Sequence, residues 1–127
     1  ELIEIFKLES VLNQKTKTLS GGWQRKLSIA LSLINDPEIL FLDEPTLGLD
    51  VIARKELWKI IESLKNKTSI ILTTHYMEEA EKLSDRVGIM SKGNLILTGT
   101  PKEIIKKSDC TNFEDAFVKI VTGGELQ

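Results

Sequence analysis

Little in this chain points to anything but an ordinary folded domain, and each shortage removes a class of function. A single cysteine, Cys110, among 127 residues leaves no internal disulfide, so a disulfide-stapled scaffold is excluded. With no histidine near it in sequence, Cys110 reads as a small packing or surface residue and not as a nucleophile. No apolar run approaches the ~18 residues that span a bilayer, and the first residues give no reason to expect a charged-then-apolar leader. Basic residues are in slight deficit, 17 Lys and Arg against 19 Asp and Glu, and they are scattered. Without a basic stripe, nucleic acid is not expected as the main partner. No repeat of roughly 20 to 50 residues and no low-complexity segment is present. What remains is 41% hydrophobic and 28% charged, enough to bury a core.

The informative stretch is Ile39-Leu40-Phe41-Leu42-Asp43-Glu44-Pro45, an apolar run ending in adjacent carboxylates and stopped by proline. Its uniform apolarity predicts a central, parallel strand that delivers Asp43 and Glu44 at its carboxyl end, the place where α/β folds hold metal-nucleotide sites. Upstream, residues 2 to 8 read as the end of a helix, followed by a polar connector, and then by Leu19-Ser20-Gly21-Gly22-Trp23-Gln24. Ser20 is a good N-cap, and Trp23, Leu27, Ala30, Leu31 and Ile34 follow at spacings of one helical face until Asn35-Asp36-Pro37. An isolated Ser-Gly-Gly is an ordinary capping turn. Two glycines in a first helical turn nevertheless cost stability, and with the hydroxyl and the helix dipole they make a site for an anion such as phosphate.

Thr46 to Asp50 lead into a helix with Ala53, Leu57, Ile60, Ile61 and Leu64 on its buried face and Arg54, Lys55, Glu56, Lys59 and Glu62 mostly in water. Ser69 to Thr74 form a second apolar strand, so 39 to 74 make a strand-helix-strand unit with two parallel neighbours. His75, the only histidine, closes that strand and is expected on the same sheet edge as Asp43 and Glu44. Tyr76 to Ser84 read as a short helix with Met77, Ala80 and Leu83 inward and Glu78, Glu79 and Glu81 mostly outward. Val87 to Ser91 and Leu95 to Thr98 form a hairpin around Lys92-Gly93-Asn94. Thr100-Pro101-Lys102-Glu103 is a capping box, and Thr111-Asn112-Phe113-Glu114 repeats the signature before a stripe of Phe113, Ala116, Phe117, Ile120 and Val121.

In this order the motifs resemble the carboxyl-terminal half of an ATP-binding cassette (ABC) transporter ATPase. Leu19-Ser20-Gly21-Gly22-Trp23 is similar to the family's signature, Ile39 to Glu44 to its Walker B strand, Leu47-Gly48-Leu49-Asp50 to its D-loop, and His75 to its switch histidine. The resemblance implies a partial P-loop NTPase fold of class α/β, with parallel core strands flanked by helices. Residues 1–35 would belong to the helical subdomain with the signature, 36–99 to the ATPase core, and 100–127 to a helical extension. Asp43 would hold Mg²⁺ through its water shell, Glu44 would be the general base, and His75 would contact the γ-phosphate of ATP. Ser20, Gly21 and Gly22, with Trp23 beside them, would bind the nucleotide of a second nucleotide-binding domain, and Asp50 would couple the two.

The implied partners are that second domain, in a dimer, and a transmembrane permease on whose cytoplasmic face the motor sits. Trp23, Leu47 and Val51 depart from the commonest family pattern, which has Gln, a small hydroxyl residue and Pro there. The residues after Trp23, and those from Thr73 to Ala80, look like the drug, lipid or polysaccharide exporter branch. No G-x-x-x-x-G-K-[ST] phosphate loop occurs in the sequence. The chain is therefore expected to be cut from something longer, to bind ATP poorly alone, and to cover a bare strand edge by self-association or strand exchange. Two other readings are a soluble ABC protein acting on ribosomes or DNA, and a non-catalytic dimerisation module without a phosphate loop.

Overall fold

The computed structural model describes residues 1–124 and divides at the end of the second strand into two compact units, Glu1–Thr73 and the residues from Thr74 onward. The expected extension of 100–127 has its last three residues outside the described residues.

The first unit is built on β1 (Ile39–Asp43) and β2 (Ser69–Thr73), which pair in parallel from Ile39 opposite Ser69 to Asp43 opposite Thr73. Helix α3 (Val51–Leu64) makes the crossover between them, as the strand-helix-strand pattern requires. Leu57, Trp58, Ile60, Ile61 and Leu64 are its buried side chains, so Trp58 joins the expected face and the half-buried Ala53 sits at its margin. Leu40 and Leu42 point the other way from Ile39 and Phe41, which are 51% and 71% exposed, and Ile71 beside Phe41 is 49% exposed. The expectation of a central strand is thus corrected. Among the described residues the sheet has these two strands alone, covered on one face, so an unbroken apolar run here serves one buried and one bare face.

Helix α2 (Gly21–Ser32) begins after Ser20 as expected, with the Ser20 Oγ accepting from the Trp23 amide at 3.4 Å. Its inward face differs from the expected one: Lys26, Ile29, Ala30 and the C-cap Leu33 are buried, whereas Leu31 and Ile34 are exposed. Lys26 fills a core-facing position because its ammonium finds Glu56 of α3 at 3.1 Å and lies 4.4 Å from the centre of the Trp23 ring. The expected helix over 2 to 8 is shorter. Helix α1 (Leu2–Ile5) gives way at Lys7, whose φ of 54° is left-handed, to a 3₁₀ turn at Leu8–Val11, and Phe6 and Leu8 are buried at this break.

In the second unit, α4 (Met77–Leu83) precedes an antiparallel hairpin of β3 (Val87–Ser91) and β4 (Asn94–Gly99), with a bulge at Ile89/Met90. Helix α5 (Pro101–Ser108) starts with the expected capping box, Thr100 and Glu103 bonding reciprocally. Helix α6 (Phe113–Thr122) is capped by Asn112, which accepts from the Asp115 amide at 2.8 Å, so the expected Thr111–Glu114 cap is out by one residue. Asn caps as well as Thr or better, and it wins because it places Phe113 and Ala116 inward. Ala80, Ile89, Ile104, Phe113 and Ala116 form the core, with Phe117, Ile120, Val121 and Cys110 packed against it. Glu79 is fully buried, which corrects its placement among outward carboxylates.

Candidate ATPase site

Asp43 is the last residue of β1 and is exposed there, and the hydroxyl of its β2 neighbour, Thr73, donates to its Oδ1. The next residue leaves the strand abruptly. The Glu44 amide still donates to the Thr73 carbonyl at 2.9 Å, but its φ of 49° is left-handed, costly for a residue with a side chain. That turn carries the chain through buried Pro45 and Thr46 toward Asp50. The loop carbonyls are collected by one side chain: Arg25 of α2 donates to Glu44 O at 2.9 Å, Pro45 O at 2.8 Å and Leu47 O at 3.3 Å.

Gly21 and Gly22 occupy the first turn of α2, where helix geometry leaves amides without intrahelical partners. A Cβ at Gly21 would meet Leu49 Cδ2 at 4.0 Å, and one at Gly22 would meet Ala53 Cβ at 3.4 Å. These are ordinary contacts, so packing within this chain does not require glycine at either position. Asp50 is the N-cap of α3 and accepts from the Ala53 amide at 2.9 Å. A shallow hollow beside Asp43 is lined by Arg25, Ser28, Phe41 and Pro45.

The family model for ABC transporters matches residues 1–47. The chain is 53% identical over 94 residues to the ABC transporter A family member 2 of Arabidopsis thaliana, which covers 74% of this chain and 10% of that protein. It is 48% identical over 105 residues to the Nod factor export ATP-binding protein I of Rhizobium etli, covering 82% and 33%. Among solved structures, an ATP-binding subunit of an ABC transporter superposes with a TM-score of 0.76 at 28% identity, over 94% of this chain and 51% of that one. An ATP-binding cassette of an ABC transporter gives 0.79 at 25% identity, over 94% and 46%. The chain belongs to the ABC transporter family. It spans a third or less of these curated relatives and about half of the structures it matches.

In this ABC transporter chain Asp43, Glu44, Asp50 and Ser20 to Trp23 all lie in one unit. His75 follows β2 by two residues, is exposed, and belongs to the other unit, with its ring 4.4 Å from that of Tyr76. The donor chemistry fits the metal the family implies: Mg²⁺ takes one or two carboxylates and hydroxyl or water oxygens and keeps much of its hydration, and Asp43 with Thr73 offers such hard oxygens at the surface. Among the described residues no group of three or more His, Cys, Asp or Glu forms a closed metal cage. No helix of the described residues is long and apolar enough to cross a membrane.

Two residues here were not singled out from the sequence. Arg25 lies four residues after Gly21, on the same helical face, and that offset was the available signal. Thr73 is found by laying the two strands in parallel register, which sets it opposite Asp43.

Proposed function

We propose that the chain is part of the motor subunit of an ABC transporter, in which ATP hydrolysis at Asp43 and Glu44 powers transport, in the export direction. One observation carries the reading: adjacent carboxylates leave the carboxyl end of a parallel strand, the first bonded by Thr73 and the second held in a left-handed turn. The name of the Rhizobium relative, an export ATP-binding protein, supports export.

Asp43 would hold Mg²⁺, and the Thr73 hydroxyl, donating to its Oδ1, fixes the carboxylate's orientation. When bound, the ion neutralises negative charge on the phosphate oxygens. Glu44 takes the proton of the attacking water, and His75 donates to the γ-phosphate. The amides of Gly21 and Gly22, with the Ser20 hydroxyl and the α2 dipole, bind the γ-phosphate held by a second nucleotide-binding domain. Asp50 couples the two domains, and Trp23 borders the nucleotide. In the full-length protein a phosphate loop completes the site, the motor dimerises, and it works on a transmembrane permease at the cytoplasmic face of a membrane. The isolated chain holds ATP weakly.

Magnesium-dependent phosphate release by the full-length protein tests this. The expected result is ATP turnover that chelation of Mg²⁺ abolishes. Nucleotide binding without any phosphate release would favour the non-catalytic module instead.

A further inference from the structure

We infer that Arg25 is a positioning residue for hydrolysis, holding the backbone of Glu44 so that its carboxylate faces the attacking water; this rests on the assignment of Glu44 as the base. Three features support it. The guanidinium reaches the carbonyls of Glu44, Pro45 and Leu47 together, at 2.9, 2.8 and 3.3 Å. A rigid planar fork with several donors can do that, whereas a lysine ammonium cannot span the same three acceptors. All three bonds are charge-assisted, and those to Glu44 and Pro45 are also half-buried, so these two are among the stronger ones available.

The residue it holds also needs holding. Glu44 takes a left-handed conformation that the surrounding structure must enforce. Its amide is fixed by the Thr73 carbonyl at 2.9 Å and its carbonyl by Arg25, so both peptide groups flanking its Cα are pinned. With the backbone so fixed, the carboxylate searches only its own rotamers. Arg25 also stands one helical turn from Gly21 and Gly22. The same helix thus presents the anion-binding amides at its start and the clamp on the base one turn later, so a shift of α2 moves both.

The test is a double-mutant cycle in the full-length protein, reading kcat and KM for ATP, with ATP binding as the control for folding. Arg25→Met should lower kcat by about tenfold or more with KM within about twofold, the pattern of an interaction expressed in the transition state. Arg25→Lys should recover part of that loss. In a Glu44→Gln background, Arg25→Met should change the residual rate by less than about twofold, because it acts through a group already removed. Three results would overturn the assignment: unchanged kcat in Arg25→Met, an equal fractional loss in both backgrounds, or loss of ATP binding in Arg25→Met and Arg25→Lys alike. Wild-type protein without turnover, or Glu44→Gln as fast as wild type, would overturn the underlying reading of the site, and this assignment with it.

Discussion

Removing the carboxylate of Glu56 is expected to destabilise the first unit more than removing the buried charge it serves. Lys26 is 6% exposed, and its ammonium has Glu56 at 3.1 Å and the Trp23 ring at 4.4 Å. Breaking a fully buried pair from one side costs about 3–5 kcal/mol, because the other charge stays behind unpaired. The Glu56 side chain is 53% exposed, so water reaches this pair, and for Glu56→Ala we expect about 1–2 kcal/mol. Lys26→Met keeps the aliphatic body against Trp23 and deletes the charge, which should leave stability within about 1 kcal/mol of wild type. The double variant should match Lys26→Met and not the sum of the singles. Urea unfolding of the chain, followed by tryptophan fluorescence, reads this unit selectively, since both tryptophans, Trp23 and Trp58, lie in it. With m near 1–2 kcal/mol per molar, Glu56→Ala should lower the midpoint by about 1 M. A Lys26→Met midpoint below that of Glu56→Ala would refute the reasoning.

Gly22→Ala should leave the urea midpoint unchanged or slightly raised, since a Cβ there only touches Ala53 at 3.4 Å, yet abolish turnover in the full-length protein; normal turnover would remove the signature glycines from the site. Asp50→Asn should keep the stability that Asp50→Ala loses, about 1 kcal/mol, because Asn caps a helix equally well. If Asn also keeps full turnover, Asp50 is a cap and nothing more. Phe41→Lys should reduce self-association of the chain measured by light scattering, given the bare Ile39, Phe41 and Ile71 face; a monodisperse monomer before the substitution would contradict that expectation.

The Ser20 cap, the hairpin and the Thr100 capping box were legible in the sequence, because each rests on neighbours a few residues apart, and the parallel pairing of the two strands was legible from the strand-helix-strand order that a parallel crossover requires. What was hidden depends on distant partners. Lys26 passes for a solvent residue until Glu56 comes beside it, and that pairing turned the expected face of α2 toward Ile29 and Leu33. Ile39 and Phe41 read as core because apolarity does not say which face is covered. The place of Asp43 and Glu44 at a strand end was legible from the apolar run before them, whereas the left-handed turn at Glu44 and the Arg25 clamp on it appear only in three dimensions.

The central claim is that Glu44 is the base of an ATPase, and single-turnover hydrolysis by full-length Glu44→Gln at saturating Mg²⁺ and ATP tests it most directly. The account predicts ATP binding within about twofold of wild type and hydrolysis slowed by about a hundredfold or more. Hydrolysis at the wild-type rate would contradict it.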